Sequence, residues 1–579
     1  MAGVAAPQQS ANLDVDGLDR GVGLLGLFWT SEGSLIGSGW LFGALAAASL
    51  AGPAALLGWI VASIIVIGLA LVHAELGGIF PVTGGTARFP HYAFGSFAGG
   101  NFGWMAYLQA ASVAPIEVLA VIQYLSVFSW AQHWYNPATS SSPNTLHSWG
   151  FVVAIGLMIL FTIINLYGIR WMAAVNNYVT TWKVIVPVLT IIIFLLFKFH
   201  SGNFSAGGGF FMKHDALKDI LFAIPSAGIV FSLLGFEQAV QLGGEAKNPS
   251  RDIPRAVISS ILVASVIYVL AQVVFIGTLN PALLAHGHTW ADLAVPGKSP
   301  ALQALNAAPF YSVAKVAGLL WLAFILRLDA VISPAGTGLV YGTSASRILF
   351  GLSRNGYVPS LFERVTSARR VPVAALIFSA VVGLAFMLPF PSWYTLVGVV
   401  TSASVLMYAS APLALGALRL SKPDLPRAYR LPAAEILCPL SFIGANFIVY
   451  WSGWGTISTL VVAMAIGYVL FILSALFNLN ANRPEIDWIG APWVLVYLIG
   501  MALISYFGQF GSGGIFEGIS GFSNTLVGGN GDIPLYVDFG VVAAFSVVIY
   551  YWAMASRLPS ERVDKYVQEV FPTPDSVGH

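Results

Sequence analysis

Gly33-Ser34-Leu35-Ile36-Gly37-Ser38-Gly39-Trp40-Leu41-Phe42-Gly43 sets four glycines within eleven residues of an apolar run covering 22 to 44. The run is long enough to cross a bilayer, which takes about 20 mostly apolar residues for about 30 Å of hydrocarbon. Each glycine costs a helix about 0.5 to 1 kcal/mol relative to alanine. Backbone facing lipid cannot stay unpaired, so an unwound stretch at that depth belongs beside a protein cavity or a bound solute. The segment therefore predicts an interrupted membrane helix with a binding site at its break.

The rest of the chain has the composition such a helix needs. Of 579 residues 57% are hydrophobic and 9% charged, against about 25% charged in soluble domains. With 26 basic and 25 acidic residues, no charge excess points to nucleic acid. Cys438 is the single cysteine, which excludes an intramolecular disulfide framework and a cysteine-built metal cluster. No cofactor or metal is expected. Asp14, Asp16 and Asp19 precede the first apolar run, where a signal peptide would carry basic residues.

Apolar runs recur at 22–44, 51–74, 92–125, 150–169, 176–198, 217–242, 256–279, 312–348, 372–390, 393–418, 433–453, 456–477, 489–508 and 536–555. Read as fourteen crossings with the N-terminus inside, they leave nineteen of the 26 basic residues in cytoplasmic segments. Lys198, Lys213, Lys218, Lys298 and Lys315 fall outside, while Lys183 and Arg327 lie within spans. This is the asymmetry that the positive-inside rule demands. The expected division is a cytoplasmic tail over 1–21, a ten-helix transport core over 22–418, peripheral helices 11 to 14 over 419–556 and a cytoplasmic tail over 557–579.

Span 6 weakens at Ser232-Leu233-Leu234-Gly235-Phe236-Glu237, about five helices after the first break. Paired interruptions in two halves mark the central site of a secondary transporter, because half-helix ends offer free N–H and C=O groups to a charged solute. Further segments complete a pattern: Ala74-Glu75-Leu76-Gly77 with Pro81 and Gly84-Gly85, Gly244-Glu245-Ala246-Lys247-Asn248-Pro249, and Ser346-Arg347 through Leu352-Ser353-Arg354-Asn355-Gly356-Tyr357-Val358-Pro359. In this order they resemble the amino acid-polyamine-organocation (APC) superfamily. A narrower resemblance, to the bacterial aspartate:proton symporter group, runs through Leu328-Asp329-Ala330 with Ser333-Pro334, Leu388 to Trp393, Phe447 to Trp454 and Ile549 to Ala553. Span 6 departs from that group toward the general superfamily pattern, and Arg327 is extra.

The resemblance implies an all-α integral membrane protein with a five-plus-five inverted repeat of the LeuT type, about fourteen helices and both termini cytoplasmic. It implies alternating access, with helices 1 and 6 broken around the substrate. Free N–H groups near Ile36, Gly37, Ser38 and Gly39 would hold the substrate carboxylate. Carbonyls near Phe231, Ser232, Leu233 and Leu234, ahead of Gly235, would hold its amino group. The expected partners are an amino acid, protons, the lipid bilayer of a bacterial inner membrane and, through the peripheral helices, further copies of the chain.

Ionisable residues inside spans are functional candidates because an unpaired charge there costs about 2.5 to 3.5 kcal/mol. Glu117 in span 3 has apolar neighbours and no basic partner at helical spacing, so it is a candidate to bind and release a proton. Asp329 sits two residues from Arg327, on a different helix face. The Arg327 fork suits a side-chain carboxylate of an acidic substrate. Lys183 in span 5 resembles a lysine of sodium-independent relatives that stands where others bind sodium, which argues for protons. Glu237 beside the second break is read as a partner of exposed backbone or a proton site. His73 and Glu75 are read as facing the inner gate or an interface, and Glu245, Arg251 and Arg255 as loop pairing and topology signal.

Other classes fit less well. Gly529-Asn530-Gly531-Asp532 resembles an intramembrane protease element but falls in a polar external loop, and no phosphate-cradling Gly-x-x-x-x-Gly-Lys-Ser/Thr occurs. No repeated carbonyl-rich filter suggests a channel. The expectation is therefore a non-enzyme: a proton-coupled symporter of an amino acid, with aspartate or glutamate foremost. An exchanger, or a neutral amino acid or polyamine permease of the same fold, is the alternative.

Overall fold

The computed structural model describes residues 20–570 apart from 137–144, 168, 213–215, 286, 295–298, 367–370, 390, 483, 485 and 512–526. The acidic residues of the N-terminal tail, Lys213, Lys298, Phe390 and the end of the C-terminal tail lie outside the described residues.

Helices dominate. They are α1 (Leu24–Leu35), α2 (Ser38–Ala51), α3 (Ala55–Ile79), α4 (Gly85–Phe94), α5 (Ser96–Leu125), α6 (Ser148–Leu166) and α7 (Ile169–Phe197). The chain continues through α8 (Ala216–Ser226), α9 (Ile229–Ser232), α10 (Gln238–Gln241), α11 (Pro249–Thr278), α12 (Pro300–Ala307), α13 (Pro309–Val316) and α14 (Leu320–Arg354). It ends with α15 (Val373–Met387), α16 (Trp393–Ser421), α17 (Ala434–Trp451), α18 (Gly453–Leu476), α19 (Ala491–Phe507), α20 (Leu535–Ala555) and α21 (Ser560–Val570). Among the described residues ten helical stretches are long and apolar enough to cross a membrane. Shorter apolar helices occupy 373–387 and 491–507.

Local chemistry sets several boundaries. Pro249, Pro300 and Pro309 open α11, α12 and α13 at the first helical position, where a missing N–H costs nothing. The Ser392 hydroxyl caps α16 by accepting the Thr395 N–H at 3.2 Å. Gly95, at φ +82, separates α4 from α5, so the run read as one span from 92 contains a turn. The run read from 312 likewise begins as the separate α13.

Both expected breaks are present. The first helix stops at Leu35 and resumes at Ser38, across Ile36 and Gly37. The sixth stops twice: at Gly228, in the left-handed region with φ +81, and again between Ser232 and Gln238, around Gly235 with φ +134. The Gly228 break was not expected from sequence. Around these pieces, α5 packs along α14 and α3 along α11. The most apolar stretch of α5 is wholly buried, making it the axis against which the broken segments rest.

Candidate functional site

The two interrupted helices touch at their breaks, and small residues permit it. A Cβ on Gly39 would meet the Ser232 Oγ and lie 3.0 Å from the Ser232 Cα; one on Gly235 would lie 2.7 Å from the Leu35 nitrogen. The Ser31 hydroxyl donates to the Phe236 carbonyl at 3.1 Å, and the Tyr268 hydroxyl from α11 donates to the Leu35 carbonyl at 2.5 Å. Side chains thus take up carbonyls that the helix ends would leave unpaired.

Glu117 lies at the first break. Its Oε2 accepts the Ser38 backbone N–H at 2.9 Å, while its Oε1 is buried without a partner. Ser38 opens α2, whose first four N–H groups have no intrahelical acceptor and carry the positive end of the helix dipole. A protein carboxylate therefore occupies the position expected for the substrate's. On the other side of the break the Gly33 carbonyl accepts from the Lys183 ammonium and from the Thr337 hydroxyl, the latter at 2.9 Å. Lys183 also donates to the Thr337 Oγ1 at 2.8 Å. A carboxyl and an ammonium thus grip opposite ends of one unwound segment.

The remaining candidates divide. Asp329 is fully buried and accepts from Trp40 Nε1 at 3.0 Å, Trp182 Nε1 at 2.9 Å and Ser333 Oγ at 2.7 Å. Glu237 accepts from the Gly235 N–H at 2.8 Å, Tyr408 at 2.5 Å, Tyr341 at 3.1 Å and Gln238 at 3.0 Å. Four donors make it a latch on the second break. Arg327 is not brought to the breaks: half-buried, its guanidinium lies over the Phe128 ring, 4.1 Å from the centroid, beyond the end of α5. The spacing argument separated Arg327 from Asp329 correctly, but the face it occupies holds an aromatic ring and not the site. Of the expected amino-group ligands, the Phe231 carbonyl accepts the Leu234 N–H at 3.2 Å.

Outside the breaks, Glu75 is clasped by Arg419 at 2.5 Å and Arg427 at 3.0 Å, and accepts the Leu431 N–H at 2.6 Å. The His73 ring lies 5.4 Å from Phe236 and 5.3 Å from Tyr408, with Nδ1 2.7 Å from the Leu69 carbonyl. Glu245 pairs with Arg347 at 3.0 Å. Gly529 and Gly531 bond the end of α19 through the Tyr506 and Gly508 carbonyls, both at 2.8 Å, which keeps Asp532 in the loop before α20.

Three residues at the site are given no role there by the sequence reading. Thr337 lies one turn beyond Ser333 in a polar ladder on α14 that spacing alone could have flagged. Trp393 donates its indole N–H to the Ser38 hydroxyl at 2.8 Å and packs 5.2 Å from Phe42 and 5.9 Å from Phe231, closing the site from the start of α16. Glu32, one residue before Gly33, meets the same rule that singles out Glu117. The space between Gly37, Glu117, Phe231, Leu234, Thr337 and Tyr341 holds about one water molecule, so admitting an amino acid requires the broken segments to separate.

The comparisons agree with this architecture. A family model described as amino acid permease matches residues 22–504. The glutamate/serine transporter AimA of Bacillus subtilis is 33% identical over 94% of this chain and 95% of its own. The aspartate-proton symporter of the same organism is 34% identical over 94% of this chain and 98% of its own. The branched-chain amino acid permease BcaP, also of Bacillus subtilis, is 25% identical over 80% of this chain. Two broken helices gripping each other in a membrane-spanning bundle, together with a match over most of the chain, place it in one group: this protein belongs to the amino acid permease family.

Proposed function

We propose that the chain imports an acidic amino acid together with protons by alternating access, its substrate carboxylate replacing Glu117 at the start of α2. The observation that carries this reading is the Glu117 carboxylate on the Ser38 N–H, opposite Lys183 on the Gly33 carbonyl. A carboxyl that must leave that N–H when a substrate arrives is best released by taking up a proton, which couples the two. The close relatives named for aspartate with protons and for glutamate support the substrate class. Ile36, Gly37, Ser38, Gly39, Phe231 to Leu234 and Gly235 form the proposed substrate contacts, with Glu117, Lys183 and Asp329 as the proton-linked groups.

The same reading places fourteen crossings in a bacterial inner membrane, with both termini inside and helices 11 to 14 peripheral to a core over 22–418. Breaks in spans 1 and 6, with span 2 packed on span 7 and span 3 on span 8, support an inverted repeat of five helices. A specific observation favours a second substrate class. Among the described residues the basic side chain bonded to the first break is Lys183, already held by Gly33 and Thr337, which suits a small neutral amino acid such as the serine named for AimA.

Purified protein in proteoliposomes with an inward proton gradient tests both. Uptake of labelled aspartate that persists when sodium is replaced by choline, and is competed by glutamate, supports the first reading. Competition by serine but not aspartate selects the second. Uptake indifferent to the proton gradient ends the coupling claim.

A further inference from the structure

Glu32 lies in the last turn of α1, fully buried, and neither carboxylate oxygen has a hydrogen-bond partner. Buried polar atoms are nearly always satisfied, so an orphaned carboxylate demands an explanation. Facing it are Lys183 from α7 and Tyr268 from α11, the latter's hydroxyl already committed to the Leu35 carbonyl. α14 also packs on α1 and carries Asp329, held by its three donors, and Tyr341, bonded to Glu237; Glu237, just before α10, is saturated by its four donors.

Lys183 stands within electrostatic reach of three carboxylates, Glu117, Asp329 and Glu32. One ammonium compensates one of them, and an uncompensated buried charge costs several kcal/mol. Asp329, with three donors, is equipped to remain the anion. Glu117, with one donor, and Glu32, with none, are left to be neutral in the closed site, and three carboxylates less one cation leaves two protons. The two sit on different bodies: Glu117 on the buried α5, Glu32 on the short α1, which joins α2 only through Ile36 and Gly37.

We propose that Glu32 is a second proton-carrying carboxylate of the transport centre, moving with α1, and that each substrate crosses with two protons, one on Glu117 and one on Glu32. This rests on the proton-coupled reading above and specifies its stoichiometry. The carboxyl on α1 takes up its proton while the site is open to one side and gives it to water when the site opens to the other side, where hydration stabilises the carboxylate. No bond other than O–H is made or broken.

The test is the ratio of protons to substrate in proteoliposomes, from a trapped pH dye and labelled aspartate, or serine if that is the substrate. The unmodified protein is expected to move two protons per substrate and Glu32→Gln one. Glu117→Gln is expected to retain one. A ratio of one in the unmodified protein, an undiminished ratio in Glu32→Gln, or zero in Glu117→Gln overturns the proposal. Should Glu32→Gln not fold, the unmodified protein and Glu117→Gln still decide it. Transport with no proton movement in the unmodified protein refutes the coupled reading itself, whereas a single coupled proton refutes only the role of Glu32.

Discussion

The Glu117 carboxyl accepts the Ser38 backbone N–H at 2.9 Å, joining the buried scaffold helix α5 to the first residue of the second half of the interrupted helix. Because the other Glu117 oxygen is unpartnered, the bond can be lost without breaking a network. Glu117→Gln keeps an oxygen for Ser38 but has no exchangeable carboxyl proton. Uptake driven by a proton gradient is expected to fall at least about tenfold, the size of one lost 1.4 kcal/mol interaction. Exchange at equal pH on both sides should depend less steeply on pH, since one proton-carrying carboxyl of two remains. Retention of both properties by the variant rules out Glu117 as a coupling group.

Gly39 and Ser232 mark a close approach of the two broken helices. Adding a methyl group in Gly39→Ala drives α2 from α9, at a cost of about 1 to 3 kcal/mol for overpacking. Ser232→Gly, which removes the Oγ and Cβ from the same spot, should recover part of the loss. Melting temperatures of the two single variants and the double variant in detergent measure the coupling. Strictly additive shifts would show that the two helices do not meet there.

Much of this was readable from the chain, and the reasons for the rest are physical. The break at Gly37 is legible because four glycines cluster in a run whose length already demands a membrane. The Gly228 break is not, since a lone glycine after Pro225 equally suits close packing of helices. Arg327 shows a second limit. Spacing separates it from Asp329, but in a membrane the lipid-facing and core-facing sides of a helix are both apolar, so periodicity cannot say which ring or carboxylate an arginine meets. Glu32 was within reach of the rule applied to Glu117, since it lies inside the run 22–44; attention to the glycines that start at Gly33 passed it over.

Tyr408 donates to Glu237 at 2.5 Å and Tyr341 at 3.1 Å. Bonds to a buried charged group are worth about 1.5 to 3 kcal/mol, and shorter charge-assisted ones more than longer. Tyr408→Phe is therefore expected to lower the thermal midpoint more than Tyr341→Phe, while the proton count per substrate stays as in the unmodified protein. A changed proton count in Tyr408→Phe would return Glu237 to the list of proton sites.

Arg327 over Phe128 implies a modest role. An exposed cation–π contact contributes about 0.5 to 1 kcal/mol, so Arg327→Ala should lose about that much stability in chemical denaturation. The apparent KM for aspartate should change less than about threefold, the kinetic equivalent of about 0.6 kcal/mol. A KM raised tenfold or more would mean that the guanidinium reaches the substrate in another conformation.

Lys183 is the cation shared by Glu117, Asp329 and Glu32. Lys183→Ala frees the Gly33 carbonyl and leaves the Asp329 carboxylate without a counter-charge, and stranding a buried charge costs about 3 to 5 kcal/mol. The variant is expected to be strongly destabilised and inactive. Lys183→Arg should not rescue it, since a planar fork cannot take the place of a compact ammonium between a carbonyl and a hydroxyl. Combining Lys183→Ala with Asp329→Asn removes the stranded charge along with its partner, so the double variant should be more stable than Lys183→Ala alone. Coupling between contacting sites is about 0.5 to 3 kcal/mol. Equal melting temperatures for the single and double variants would show that the lysine braces Gly33 without sensing the carboxylates, and the charge argument for Glu117 and Glu32 would fail with it.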